Sequence, residues 1–336
     1  MMQHSDSLVL VTGGNGFVAR HTILRLLERG IAVRASVRSE RKGSQLRAVL
    51  AEAGVNTDSL QTIVADLLDP QSWTPAMAGI SHVMHLAAAM QGATVRASAL
   101  EGTRNVLEAG ASAGVDRVVV TSTGLAALKP RSPSGPADQR SEVDWTDSEQ
   151  PGIDAYTAAK TRAERDAWQR AEALGLSLTT ILPGVIMGPV LGTDRSLWQE
   201  LIGDMLEGKL PALPPMKLQI VDVRDVADLH IAALFAPEAL GQRYIAAGET
   251  LSLGEIAAAI KHDLGAAAIK VSTREMPVIL FRLMAVVSAQ ARSALPLLGP
   301  SPHLDASKAR RELGWMPRQS RISIIDTARS LLAPEQ

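Results

Sequence analysis

The chain has 336 residues, of which 46% are apolar and 21% are charged, and its formal net charge is -1. This length and apolar content suffice for one large domain, with or without a smaller one, and the near-zero charge excludes the basic footprint of a nucleic-acid-binding protein. Because the sequence contains no cysteine, disulfides and thiolate metal ligands are excluded as well.

Neither the N-terminal segment nor the most apolar later stretch predicts export or a membrane span. The start, MMQHSDS, lacks the basic region and apolar run of a signal peptide. The most apolar later stretch, residues 276–299, is interrupted by Arg282, Gln290, Arg292 and two prolines, which argues against a membrane span. We therefore expect a cytoplasmic protein with no membrane span.

The first predicted element is a strand that runs into a glycine-rich turn and then a helix. An apolar run at 8–11 is followed by Thr12, by three glycines within four residues, and by a helical pattern from Phe17. Gly13 and Gly16 keep the spacing of a dinucleotide fingerprint, with Ala19 at the place of its last glycine. Glycine lets the backbone approach a pyrophosphate at the start of a helix. Alone, the pattern is equally compatible with a structural turn.

The following elements alternate between strand and helix. The sequence predicts strands at 31–37, 61–65, 82–87 and 117–121, and helices at 44–53 and 95–113. Strands separated by helices of this length imply right-handed crossovers and a parallel sheet covered on both faces. The predicted fold class is therefore α/β, a doubly wound Rossmann sheet, with its ligand at the carboxyl ends of the strands.

The end of the second predicted strand bears on the choice of cofactor. A free ribose 2′-hydroxyl is usually bound by an acid at this point, whereas a 2′-phosphate requires a guanidinium. Here the strand ends on Arg38, with Arg41 and Lys42 close behind. A solvated basic loop is the alternative interpretation. We predict NADP(H), with NAD(H) the less favoured cofactor.

A second pattern with chemical potential opens a helix near residue 155. Tyr156 and Lys160 are four residues apart and therefore share one helical face. A neighbouring ammonium favours the anion of a phenol and brings it closer to use as a proton donor and acceptor. In isolation the pair is a weak signal, because it arises by chance in many helices.

The histidines do not predict a metal site. His82 and His85 are three residues apart on a predicted strand, so their side chains point to opposite faces. The other five are scattered singly, and we expect no metal.

Several motifs occur together and in order along nearly the whole chain. The glycine pattern at 13–19 is followed by Asp66, by HLAA at 85–88, by TST at 121–123 and by the Tyr156/Lys160 pair; LPGVIMGP at 182–189, VDVRDVA at 221–227 and LGWMP at 313–317 complete the series. The chain thus resembles the extended short-chain dehydrogenase/reductases. The segments VRASVR at 33–38 and WTD at 145–147 are most similar to the dihydroflavonol 4-reductase branch, with its cinnamoyl-CoA and aldehyde reductase relatives.

The resemblance implies catalytic roles. Tyr156 would donate a proton to the carbonyl oxygen, and Lys160 would lower the pKa of Tyr156 and hold the nicotinamide ribose. One hydroxyl of the TST cluster would polarise the carbonyl, which leaves a choice between Thr123, the preferred position, and Ser122. Family members often have serine at this position.

The resemblance also implies a cofactor-binding set. Its members follow the ends of the strands or border the nicotinamide: Thr12, Gly13, Asn15, Gly16, Phe17, Arg38, Asp66, Leu67, Ala87, Ala88, Tyr156, Lys160, Pro183, Gly184 and Val185. One position departs from the family, since Ala99 stands where relatives commonly carry an asparagine. A proton relay through that side chain is therefore in doubt.

The expected organisation has two parts. Residues 1–182 form the dinucleotide-binding domain with the Tyr156 helix, and residues 183–336 form a smaller, mostly helical substrate part, from which about 217–247 returns to the Rossmann core. Apolar residues of the second part would suit an apolar or aromatic carbonyl substrate, although each could equally pack the core of that part. Relatives commonly pair through two helices, so a homodimer is expected.

Three functions remain open at this stage. The favoured one is an NADP-dependent oxidoreductase that transfers a hydride between nicotinamide and a carbonyl or alcohol. The second is a nucleotide-sugar epimerase or dehydratase with tightly bound NAD(P). The third, a cofactor-sensing protein without turnover, has no need of the Tyr156 proton donor.

Overall fold

A computed structural model describes residues 7–87, 95–128, 139–288, 292, 295, 298 and 303–333. Most of its strands lie in one parallel sheet with the order β3-β2-β1-β4-β5-β7-β10. The bounds of these seven strands are β1 Leu8–Val11, β2 Ala32–Val37, β3 Leu60–Val64, β4 His82–His85, β5 Arg117–Thr121, β7 Leu178–Pro183 and β10 Arg243–Ala246. The order reverses between β1 and β4, the point at which a doubly wound sheet opens a crevice for its ligand.

Helices cover both faces of this sheet. The α-helices are α1 Phe17–Glu28, α2 Glu40–Glu52, α3 Trp73–Met77, α4 Val95–Ser112, α5 Ala155–Leu174, α6 Leu197–Glu207, α7 Val223–Phe235, α8 Leu253–Leu264, α9 Val278–Val287, α10 Ser307–Leu313 and α11 Ser320–Leu332. Helix α1 packs on α7, and α4 packs on α5.

The strands supply apolar side chains to two separate cores. In β1, Val9 and Val11 join the core beneath α1 and α7, whereas Leu10 joins the core beneath α4 and α5. Successive side chains of a strand point to opposite faces, so a strand buried on both sides must be apolar throughout. This requirement explains why the strands are continuous apolar runs.

The remaining strands belong to smaller sheets. Three of them, β8 Val185–Met187, β9 Lys217–Asp222 and β11 Thr250–Ser252, form one sheet, and β6 Gln139–Arg140 pairs with β12 His303–Leu304. A third core joins β9 to α6, α8 and α11. Met205 and Met216 lie in this core and Trp198 packs against it, so these three side chains stabilise the smaller part.

The predicted elements of the first half are present with shifted ends. The fifth strand has the predicted bounds, and the second helix begins four residues earlier than predicted because Ser39 caps it. In the second half, α7 and β10 pack with the large sheet, but β9 lies in the three-stranded sheet. The segment expected to return to the Rossmann core is thus divided between the two sheets.

Helix α9 carries an unusual number of exposed apolar side chains. Phe281 and Ala285 are buried, whereas Ile279, Leu283 and Val287 are exposed. None of the helices within the described ranges has both the length and the apolar run needed to cross a bilayer.

Candidate active site

The candidate site lies along the carboxyl edge of the large sheet. Because neighbouring strands of this sheet run parallel, the segments that follow β1, β2, β4, β5 and β7 emerge at the same edge. The topology therefore brings together the glycine turn, Arg38, Ala87, the Ser122–Thr123 pair and residues 183–185. Ala88 lies outside the described residues.

The glycine turn is packed closely against the strands beside it. Gly13 has φ of 67°, and a Cβ atom there would lie 2.9 Å from the Cβ of Ala87. A Cβ on Gly14, a glycine not assigned to the site from the sequence, would lie 2.9 Å from Ala35 and from Leu46. The turn is fixed to β2 by Ser36, whose hydroxyl and carbonyl accept hydrogen bonds from Gly13 and Gly14.

The start of α1 is free of protein caps. Gly16 is its N-cap, with no side-chain cap hydrogen bond and no acidic residue in the first turn. The first N–H groups of a helix lack intrahelical acceptors and carry a partial positive charge. Together with the glycine turn, this geometry fits the pyrophosphate of a dinucleotide.

A buried hydrogen-bond chain holds the turn from beneath. The Thr12 hydroxyl accepts the N–H groups of Leu86 and Ala87, each at 3.0 Å, and lies 3.0 Å from Nδ1 of His85. On the other side, Nε2 of His85 lies 3.1 Å from the Thr103 hydroxyl, which donates to the carbonyl of Ala99. The Thr12 side chain therefore fixes the loop after β4 next to the glycine turn.

The ends of β2 and β3 carry the residues expected near the adenosine. Arg38 is exposed, and within the described ranges it makes no hydrogen bond or ion pair. Lys42, by contrast, lies 3.8 Å from Asp194. Asp66 is exposed and accepts the N–H of Leu68 at 2.8 Å, while Leu67 packs against Gly102.

The helix α5 carries the Tyr156/Lys160 pair. It begins after Asp154, whose carboxylate accepts the N–H of Thr157 at 2.9 Å. This cap places Tyr156 in the first turn of the helix. Lys160 follows one turn later and donates to the carbonyl of Thr121 at 2.8 Å.

The two candidate hydroxyls after β5 have different partners. Thr123 hydrogen-bonds with the side chain of Tyr156. Ser122 donates to Oε2 of Glu164 at 2.6 Å. A serine has one hydroxyl hydrogen, so Ser122 has none left for a substrate oxygen.

Burial controls the proton affinities of this group. It raises the pKa of Tyr156 to about 12, against the hydrogen bond from Thr123, which lowers it. Burial also lowers the pKa of Lys160 to about 8, against the charge of Glu164, which raises it. The direction for Tyr156 is opposite to the one expected from Lys160, because the loss of water outweighs the hydrogen bond from Thr123 and the charge of Asp154 raises the pKa further. At neutral pH the phenol is protonated.

Comparison with known proteins identifies the family of the chain. The sequence model of the NAD dependent epimerase/dehydratase family matches residues 9–248. The chain belongs to this family.

Several relatives of the chain in this family are reductases by name. The chain is 35% identical over 254 residues to cinnamoyl-CoA reductase 1 of Oryza sativa subsp. japonica, which covers 74% of this chain and 73% of that protein. It is 34% identical to cinnamoyl-CoA reductase 1 of Petunia hybrida over 76% of this chain and 77% of that protein. The family match and these relatives support an NAD(P)-dependent oxidoreductase.

A solved structure extends the similarity to almost the whole length. The complex of Gre2 from Candida albicans with NADPH superposes with a TM-score of 0.79 at 25% identity, and covers 98% of this chain and 100% of that one. The doubly wound fold predicted from the sequence is thereby confirmed.

Two charged residues near the site, Glu164 and Arg243, were not assigned a role from the sequence. Glu164 continues the face of Tyr156 and Lys160 at the same four-residue spacing, which marks a carboxylate on a buried helix face. Arg243 is a single cation in the otherwise apolar strand β10, and it donates to Glu164 at 2.8 Å. A charged residue in such a pattern indicates a buried ion pair, but its partner is visible only in three dimensions.

The buried histidines predict a loss of stability in mild acid. Burial lowers the pKa of His85 to about 3 and that of His230 to about 4, below the ordinary value of about 6.5. The unfolded chain therefore binds protons that the folded protein does not, and the free energy of unfolding falls as pH drops below about 6.5. Between about pH 7 and pH 5, the free energy of unfolding measured with urea should fall by about 2 kcal/mol less in His230→Gln than in the parent.

The matched control is His262→Gln, whose side chain is 76% exposed. It should leave the pH dependence unchanged. Equal pH dependence in the parent and in His230→Gln would contradict the assignment of His230 as a neutral buried group.

Proposed function

We propose that this protein is an NADPH-dependent reductase of ketones or aldehydes, with Tyr156 as general acid in reduction and general base in the reverse oxidation. One observation carries the proposal. Tyr156 hydrogen-bonds with Thr123 and precedes the buried Lys160 by one helical turn, at the sheet edge that also presents the glycine turn. The reductase relatives support the same chemistry.

The choice of NADPH rests on Arg38. Its exposed guanidinium stands at the end of β2 with no protein partner among the described residues, in the place where a 2′-phosphate would lie. A guanidinium binds phosphate through two parallel hydrogen bonds. Asp66 and Leu67 are proposed to border the adenine, and Pro183, Gly184 and Val185 the nicotinamide.

Proton transfer in this proposal uses the chain's own groups. When bound, the reduced nicotinamide supplies the hydride that joins the carbonyl carbon. Tyr156 gives its proton to the carbonyl oxygen, which becomes the alcohol. Thr123, whose hydroxyl is hydrogen-bonded to Tyr156 before the substrate binds, turns its hydrogen to the same oxygen and stabilises the developing charge. Lys160 holds the ribose hydroxyls and stabilises the phenolate that remains.

The proposed substrate is an apolar or aromatic carbonyl compound. Leu304, which comes from the C-terminal part, packs on Gly124 directly after Thr123. Leu304 thus gives the neighbourhood of Thr123 an apolar side chain, which suits such a substrate.

Organisation, assembly and location remain predictions from the resemblance. We propose a dinucleotide-binding part over 1–182 and a substrate part over 183–336, in a cytoplasmic homodimer. The helices through which relatives commonly pair correspond to α4 and α5, which pack side by side here with Arg104 donating to Asp166 at 2.8 Å.

The decisive assay follows the absorbance of reduced nicotinamide with a panel of aromatic and aliphatic aldehydes, ketones and a dihydroflavonol. We expect NADPH oxidation with some of these carbonyls, and a loss of at least about 100-fold in kcat in Tyr156→Phe, because a positioned general acid contributes that much. Cofactor binding should survive in this variant. Full activity of Tyr156→Phe would overturn the mechanism, and bound cofactor with no net oxidation of any carbonyl would favour a nucleotide-sugar epimerase.

The two hydroxyls can be separated by paired substitutions. Thr123→Val should lower kcat by about 100-fold or more, as expected for a lost donor to a developing oxyanion. Ser122→Ala should cost clearly less, because its hydroxyl is already given to Glu164. The measurement is kcat of both variants with one carbonyl at saturating NADPH. The reverse order of effects would reassign the polarising hydroxyl to Ser122.

The cofactor assignment is tested by Arg38→Ala. We expect about 10- to 100-fold weaker binding of NADPH, the range for a hydrogen bond to a charged group, with little change for NADH. The control is Arg47→Ala on helix α2, which follows Arg38 in the chain, since the Arg47 guanidinium is held by the carbonyls of Thr57 and Leu60. Equal losses for both cofactors in Arg38→Ala would refute the 2′-phosphate contact.

A further inference from the structure

A carboxylate lies buried directly behind the candidate catalytic groups. Glu164 is 2% exposed and stands on α5 one turn after Lys160 and two turns after Tyr156. Its oxygens accept hydrogen bonds from Ser122 at 2.6 Å and from Thr180 at 2.8 Å. Ser122 directly follows β5 and Thr180 lies on β7, so Glu164 connects α5 to two neighbouring inner strands of the large sheet.

Arg243 completes the environment of this carboxylate. It donates to Glu164 through Nε at 2.8 Å. Its other end donates to the carbonyls of Glu142 and Asp144 at 2.6 and 2.7 Å. A buried ion is tolerated when its lone pairs and hydrogens are satisfied in this way, and here the Glu164 carboxylate has at least three donors.

The charges around Lys160 leave it one anionic neighbour among the described groups. Tyr156 lies on the same helix and is protonated at neutral pH. His85, from β4, is kept neutral by burial and by the charge of Lys160, and His230, from α7, accepts from the Thr121 hydroxyl at 2.7 Å. Arg243 is a cation on the far side of Glu164. Among the described residues, Glu164 supplies the negative charge that favours the buried ammonium, beside the hydrogen bond to the Thr121 carbonyl.

We propose that Glu164 is a positioning residue for the reduction: it takes the hydroxyl hydrogen of Ser122, so that Thr123 is left to face Tyr156, and its charge keeps Lys160 cationic. This inference rests on the proposed function and deepens it. Arg243 fixes the orientation of Glu164 and links it to the segment at 142–145 that precedes the catalytic helix.

The test neutralises the carboxylate without changing its shape. In Glu164→Gln, Lys160 loses the charge that favours its proton, and its pKa should fall by at least about one pH unit, the usual effect of one close charge. The direct readout is the pH titration of the Lys160 ¹³Cε NMR signal in cofactor-free protein, assigned with Lys160→Ala. In parallel, the alkaline limb of kcat/KM for NADPH should move to lower pH by the same amount.

The control breaks a buried ion pair on the other face of the sheet. Asp225 lies on α7 and pairs with Arg318 at 2.9 Å. Asp225→Asn should lower stability, yet leave the Lys160 titration and the alkaline limb in place. A purely structural role of Glu164 would give the same pattern in both variants.

A second variant covers the case in which Glu164→Gln does not fold. The double variant Glu164→Gln/Arg243→Gln removes both charges of the pair and avoids an unpaired guanidinium. The Lys160 signal should again titrate at lower pH than in the parent, because the charge of Glu164 favours the Lys160 ammonium and that of Arg243 does not act on it.

The two proposals can fail separately. A Lys160 signal that titrates as in the parent, in either folded variant, overturns the role of Glu164 even when the parent reduces carbonyls. If the parent reduces no carbonyl while the Lys160 titration still shifts, the proposed function fails and the charge coupling stands as a property of the site.

Discussion

The ion pair between Glu164 and Arg243 is the contact on which the geometry of the candidate site depends. It joins α5, two inner strands, the edge strand β10 and the segment before the catalytic helix. Two charges without water cost several kcal/mol each unless their hydrogen bonds are complete. The hydrogen bonds of this pair are complete, so the intact pair fixes Ser122 and the first turns of α5 together. Loss of either partner would leave an unpaired buried charge.

The cofactor side of the site depends on neutral groups. His85 lies between the hydroxyls of Thr12 and Thr103, and the Thr12 hydroxyl in turn accepts a backbone N–H of the loop after β4. Burial keeps the imidazole uncharged, so this chain of hydrogen bonds adds no positive charge beneath the glycine turn. The attraction for an anion then comes from the start of α1 and from Arg38 at the rim. One half of the crevice is organised by an ion pair and the other by neutral hydrogen bonds.

The sequence predicts the fold and the main candidates for chemistry because both leave local patterns. Continuous apolar runs mark strands that are buried on two faces. The glycine spacing marks the first turn, since only glycine tolerates the close approach of Ala87 at position 13. Tyr156 and Lys160 are visible as a pair because helical spacing brings them to one face. The partners that distinguish Ser122 from Thr123 are not visible in the sequence, since Glu164 follows Ser122 by 42 residues and Arg243 follows Glu164 by 79. The pKa of Tyr156 also escapes the sequence, because it depends on how much water the folded protein excludes.

The segment around Glu142 also has a consequence for the outer edge of the large sheet. Strand β10 ends that sheet, and an uncovered edge strand presents free N–H and C=O groups to which another chain can add. The N–H of Ile245 is instead bound by the Glu142 carboxylate at 3.0 Å, and the Arg243 side chain binds the carbonyls of the same segment. The contacts that orient the site thus also hinder self-association through strand pairing at β10. A substitution that breaks them would therefore lower both turnover and solubility.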